Sequence, residues 1–325
     1  MGDSIYRHKK ERNINMEKYI ILADVTADIS QEIREEFGIR DYIKGHIHFS
    51  DGRDFQTTLD WSNISREDFY AALSNRKMEV STAPASPEEY YQIFRKYVEE
   101  GYKIISFNIS SKISSTYNVA CGAANRVKQE LPNAEIYCFD SYRMSGALGL
   151  LLMYAQQLQN EGKSYQEVID WLETNKHTVH QMGPIDDMIF IARRGRVTMG
   201  KAIMGTFAGV KPMGDCNNEG YVSVLSKVKG INKALDVTVE YAKAMAKDIE
   251  NQYILISHSN RAAYAEKLKQ LAEQRLGAKK VFVTDVFTGC GTNIGPGMIA
   301  MYFIGNPISQ DLADEKAAIN SILNG

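Results

Sequence analysis

The sequence predicts an α/β fold of two domains, an N-terminal mostly parallel sheet with helices on both faces and a C-terminal mixed α/β domain. Three observations carry this expectation. Short apolar runs, such as Tyr19-Ile20-Ile21-Leu22-Ala23 and Ile104–Ile109, stop at Asp or Ser. The segments between them carry helical patterns, the spacing of strand–helix–strand units. A chain of 325 residues with 44% hydrophobic content is long enough to bury two cores.

Each element follows in order. Residues 1–18 contain Arg7-His8-Lys9-Lys10-Glu11-Arg12 and no apolar stretch, so they read as a flexible polar tail rather than a signal peptide. Tyr19–Ala23 is a buried strand ending at Asp24, and Tyr42–Phe49 alternates as a second strand. Ile104–Ile109 and Glu135–Phe139 supply two more, the latter ending at Asp140-Ser141. Helices are predicted over Gln31–Phe37, Arg66–Ser74, Pro87–Glu100, Ser115–Glu130 and Gly146–Gln159. Ser86 ahead of Pro87, with Glu88-Glu89 in the first turn, is a good start signal.

In the second half a polar helix precedes the Met182-Gly183-Pro184 break, and a short helix runs from Asp186 to a cap at Gly195. Val222–Val228 reads as a half-exposed strand and Asn232–Ile249 as a long helix. Tyr253–His258, Ala262–Arg275 and Lys280–Asp285 form a strand–helix–strand series. A glycine-rich turn over Thr288–Gly297, a strand over Met298–Ile304 and a helix near Asp311–Leu323 complete the chain. The domains are expected at 19–165 and 166–325.

Composition narrows the function. A charged content of 24% suits a globular protein, and a net charge of −2 argues against nucleic acid as main partner. The longest apolar run, Met298–Ile304, is far short of a membrane span. Cys121, Cys138, Cys216 and Cys290 form no C-x-x-C pair, so reduced thiols in a cytoplasmic protein are expected.

Two hydroxyl-rich turns, Ser81-Thr82-Ala83-Pro84 and Ser110–Thr116, stand where parallel strands are expected to end. Hydroxyls and unpaired helix-start N–H groups together make an anion cradle, although ordinary N-caps look the same. Thr288–Gly297 lacks the order of a dinucleotide loop and reads as a tight turn near a ligand, with Asn293 able to donate from it. Arg193-Arg194-Gly195-Arg196 is either a solvated helix end or a docking patch for phosphate or an acidic partner. His46 and His48 share one face of a strand but have no third ligand nearby, so no metal is expected. His258 at a strand end reads as a capping or core histidine. No nucleophile elbow, zincin motif or P-loop is present, which leans toward binding rather than catalysis.

Taken in order, the motifs resemble the DegV family. The run Ile109-Ser110-Ser111-Lys112-Ile113-Ser114-Ser115-Thr116-Tyr117 is similar to its I-S-S-x-L-S-G-T-Y signature, and Asp24 to the Asp of its opening T-D-S. Ser81–Pro84 stands for T-S-Q-P, and Asp140-Ser141 with Ser145–Gly149 for D-S and S-G-x-x-G. Asp186–Val197, Lys211-Pro212 and Gly291–Gly297 match the later motifs, with Asn293 where the family has histidine.

The resemblance implies two α/β domains and a soluble, bacterial, cytoplasmic carrier of a long-chain fatty acid, with no other cofactor. The carboxyl head is expected against Ser81, Thr82, Ser114, Ser115, Thr116 and Asn293, and the tail in an apolar tunnel. Arg193, Arg194 and Arg196 would dock a fatty acid kinase subunit or the acyl phosphate, the kinase performing the chemistry. Transient contact with a membrane surface is allowed alongside these partners. The competing reading is a phosphotransferase-like enzyme acting on a small hydroxylated substrate in the same cleft through His46, His48 or His258.

Overall fold

The structure, a computed structural model, describes residues 17–196 and 209–325. The expected polar tail therefore lies outside the described residues except for residues 17 and 18, as does Val197. The first half runs β1 (Tyr19–Asp24), α1 (Gln31–Phe37), β2 (Tyr42–Ile43), β3 (His46–Phe49), β4 (Asp54–Gln56), α2 (Arg66–Ser74), β5 (Val80–Ala83), α3 (Pro87–Glu99), β6 (Lys103–Asn108), α4 (Thr116–Glu130), β7 (Ile136–Asp140) and α5 (Gly146–Asn160). The second continues with α6 (Tyr165–Asn175), β8 (Val179–Met182), α7 (Met188–Arg193), β9 (Val210–Cys216), β10 (Val222–Lys229), α8 (Ile231–Met245), β11 (Tyr253–His258), α9 (Ala262–Leu276), β12 (Lys280–Asp285), α10 (Thr288–Ile294), β13 (Ile299–Ile304) and α11 (Ala313–Asn324).

The fold is α/β, as expected. A parallel sheet of order β2-β1-β6-β7 carries the first half, and a mixed sheet of order β12-β11-β13-β8 carries the second. The buried runs Ile104-Ile105 and Ile254-Leu255-Ile256 have no polar face because helices cover both sides. α5 is apolar over Gly146–Ala155 and buried nearly all round there, so one hydrophobic cluster runs from Tyr19 through Leu148 and Leu151 to Leu255 and Tyr302. Capping explains several helix starts. Ser86 and Ser164 each form a capping box, with Glu89 and Glu167 respectively.

Several expectations are corrected. Tyr42–Phe49 is not one strand. The chain leaves the parallel sheet after Ile43, and β3 joins β4 and β5 in a separate antiparallel sheet. Gly45 permits this crossing, since a Cβ there would stand 2.6 Å from the Ala83 carbonyl oxygen. Ser81-Thr82 is therefore not a turn but part of β5, a strand whose apolar content is too low to be seen. β8 and β9 were likewise not anticipated as strands. The long helix stops at Met245, where Ala246 turns extended and bridges Gly305. The glycine-rich segment is a helix, α10, and its glycines serve packing. A Cβ at Gly291 would lie 2.8 Å from the Phe69 ring.

Behind β8 sits a buried polar cluster. Asp215 accepts from Gln181 N at 2.9 Å, Cys216 N at 2.7 Å and Tyr241 OH at 3.1 Å, which marks it as a carboxylate. His180 meets Asp215 through Nδ1 at 3.0 Å and the Asn306 carbonyl through Nε2 at 2.9 Å. Both partners only accept, so both ring nitrogens carry protons and the imidazole is cationic. Burial opposes that charge, but the Asp215 hydrogen bond and charge outweigh it and raise the His180 pKa.

Candidate ligand-binding site

A deep cavity opens where these sheets converge, with about 1330 Å³ of empty space counting its mouth. It lies at the carboxyl end of β1, where Asp24, Val25 and Thr26 line it, as ligand sites of parallel sheets do. α10 and β5 close one side, and β8, β9 and β13 close the other. The interior wall is mainly apolar, with Ile109, Met144, Ile185, Val222, Met298 and Ala300 all buried.

The mouth carries the hydroxyls. Thr82, Ser114, Ser115, Thr116 and Asn293 all line the cavity, so positions as far apart in sequence as Thr82 and Asn293 meet. Asn293 Nδ2 donates to Thr82 Oγ1 at 3.3 Å. Ser114 Oγ and Thr116 Oγ1 lie 2.8 Å apart, and Thr116 N donates to Ser114 Oγ at 3.3 Å. The start of α4 thus faces the cavity, and Ser115 at its N-cap makes no side-chain cap bond. Donor counting shows what remains. Thr82 accepts from Asn293 and keeps its own O–H, and one hydroxyl of the Ser114–Thr116 pair keeps another. Asn293 retains a second N–H. These three donors suit an oxyanion.

Ser81 does not belong with them. Strand alternation turns it to solvent, opposite in direction to Thr82 beside it, and it does not line the cavity. Of the three arginines, only Arg196 lines the cavity, its Nη1 donating to the Arg194 carbonyl. Arg194 is engaged structurally, donating from Nη1 to the Val80 carbonyl at 3.0 Å and lying over the Phe190 ring. Burial, then the nearby Arg196, lowers its pKa. Arg193 is exposed.

The other motifs build the frame. Asp186 takes Lys211 and Arg261 as ion-pair partners, and although burial would raise its pKa these cations hold it low. Asp187 caps α7 by accepting from Phe190 N at 2.9 Å. Asp24 accepts from Ile109 N at 2.8 Å, and burial raises its pKa against that bond and those from Thr26. Asp28, fully buried, is pushed up to about 8 by burial, against the bonds from Ser145 Oγ at 2.6 Å and Phe287 N at 2.9 Å.

None of the three candidate histidines lines the cavity. His46 pairs with Glu89 at 2.9 Å and His48 with Asp54 at 2.7 Å, while buried His258 stands 3.5 Å from Asp285. Sequence reasoning missed Gln181, Met144 and Tyr302 in the cavity wall. Tyr302 lies on a strand that was recognised, so its apolar run was the available signal. Gln181 gave none.

Comparison with known proteins places this architecture. A DegV domain-containing protein of Clostridium perfringens is 28% identical over 291 residues, covering 90% of this chain and 99% of that protein. The solved structure of a fatty-acid-binding DegV family protein from Thermus thermophilus has a TM-score of 0.78 and 23% identity, over 89% of this chain and 99% of that one. That of the Streptococcus pneumoniae fatty acid kinase (Fak) B3 protein, loaded with linoleic acid, has a TM-score of 0.74 and 18% identity, over 89% of this chain and 100% of that one. The family model "Uncharacterised protein, DegV family" matches residues 18–306, and the chain belongs to the DegV family.

Proposed function

We propose that this chain is a cytoplasmic carrier of a long-chain fatty acid, holding the carboxylate at the cavity mouth and the acyl chain within. The observation that carries the reading is a mainly apolar cavity whose wall also holds two hydrogen-bonded polar pairs, Thr82–Asn293 and Ser114–Thr116. Thr82, Ser114, Thr116 and Asn293 offer hydrogen bonds to the carboxylate, and Arg196 adds a positive charge to the cavity wall. Each methylene buried in the wall contributes about 0.8 kcal/mol, so a long tail provides most of the affinity. The hydroxyls then orient the head group.

The fatty-acid-loaded relatives support the same ligand class here. With its head near the surface, the acid is poised for a partner kinase to phosphorylate, and exposed Arg193 is part of the docking face. Among the described residues no helix is long and apolar enough to cross a membrane, which suits a carrier that exchanges its cargo. The test is to denature the purified protein and analyse the organic extract by mass spectrometry. About one long-chain acid per chain is expected. A lipid-free protein that also ignores added palmitate and oleate would end the proposal.

A further inference from the structure

We propose that the acyl chain bound here carries an oxygen function, a hydroxyl or keto group away from its carboxyl end, recognised by the side-chain amide of Gln181. This rests on the fatty-acid reading above. Gln181 is only 9% exposed, in a strand buried along its whole length. Alternation along β8 turns His180 and Met182 toward α8, and Val179 and Gln181 to the opposite face, where Val179 joins the core and Gln181 lines the cavity. The Gln181 backbone N–H is held by Asp215 at 2.9 Å, which fixes the residue's position. Its carboxamide, however, makes no side-chain hydrogen bond to the described residues, and Gln181 lines the cavity.

The surroundings sharpen the point. Gln181 lines the cavity together with Gly183, Gly214, Val222 and Ala300, all buried, whereas Thr82, Ser114 and Asn293 are partly exposed. Of the other polar groups of the wall, Tyr90 OH is buried without a partner among the described residues, but two groups are occupied. Tyr302 OH lies 2.8 Å from Ser257 Oγ, and Ser145 Oγ donates to Asp28. A carboxamide offers two N–H donors and a carbonyl acceptor. A plain hydrocarbon chain would strip water from these groups and return nothing, whereas a hydroxyl matches donor and acceptor and a keto oxygen matches the N–H. Leaving such a buried group unpaired weakens binding by roughly five- to hundredfold.

The experiment compares stearate with a set of monohydroxystearates, the hydroxyl moved along the chain, on the full chain and its Gln181→Leu and Gln181→Met variants. At least one hydroxy acid is expected to bind the unaltered protein about tenfold tighter than stearate, and both variants to reverse that preference. The inference is overturned if stearate binds as tightly as every hydroxy acid, or if the variants leave the ratios unchanged. Tight stearate binding with no hydroxyl preference defeats this inference alone. Failure to bind any of the acids defeats the carrier reading and this inference with it.

Discussion

Thr82 is the most informative residue to perturb. Thr82→Val keeps the branched shape and removes one O–H donor, and it also strips Asn293 Nδ2 of its 3.3 Å acceptor. A hydrogen bond to a charged carboxylate contributes about 1.5–3 kcal/mol, which corresponds to roughly ten- to hundredfold in affinity. The freed Asn293 N–H can turn to the carboxylate, so the lower end, about tenfold, is expected. Ser114→Ala removes the partner of Thr116 Oγ1 at 2.8 Å, releasing that hydroxyl to the ligand, so its loss should be smaller. The assay is calorimetric titration of the delipidated protein with a fatty acid and with its methyl ester. The ester lacks the charge, so Thr82→Val should reduce acid binding and leave the ester nearly unchanged. Shortening the acid by two methylenes should cost about 1.6 kcal/mol in every variant, because tail and head contribute separately. Equal losses for acid and ester would mean that Thr82 and Ser114 are structural, and the clamp argument would fail.

Three further outcomes follow from the same geometry. Asp28 binds its proton more tightly in the folded state than unfolded, so stability should fall as pH rises from about 4 toward 8; Asp28→Asn should flatten that fall in a thermal-unfolding series, and an unchanged slope would show that Asp28 does not titrate there. Asp215→Asn leaves the buried His180 imidazolium without its countercharge and should cost about 3–5 kcal/mol in denaturant unfolding. His180's own contribution, with its pKa raised, is complete below about pH 6.5 and lost as pH climbs through the folded value, so a stability peak on the alkaline side would refute the assignment. Gly45→Val drives a Cβ toward the Ala83 carbonyl and should cost about 1–3 kcal/mol while displacing β5; acid affinity should drop with stability, and full-strength binding would show that β5 placement is irrelevant.

Much of the fold was legible locally. α1 and α2 fall on the residues that the helical pattern indicated, and so do β11's Tyr253–His258 and β12's Lys280–Asp285 on theirs. Ser30 and Ser65 cap α1 and α2 through their own hydroxyls, a signal confined to a few neighbouring residues. β5 and β9 were not legible, because Val-Ser-Thr-Ala and a stretch containing Pro212, Gly214 and Asp215 lack the composition of strands. They become strands through the partners they pair with. The glycines of α10 suggest a turn, yet they let the helix approach Phe69 and Val25.

The candidate site divides in the same way. Sequence by itself determined that Ser114–Thr116 opens a helix after a parallel strand. Motif order added the family. Tertiary structure alone decided that Thr82, rather than Ser81, faces the cavity, because a strand's direction of alternation is set by its pairing with β3. It also decided that Asn293 reaches Thr82 from 211 residues away, that Arg196 turns inward while Arg194 is held by β5, and that Gln181 lines the cavity. Periodicity and capping act over a few residues and are written in the chain. Which face of a strand meets which cavity is settled only when distant elements bury their apolar surfaces together.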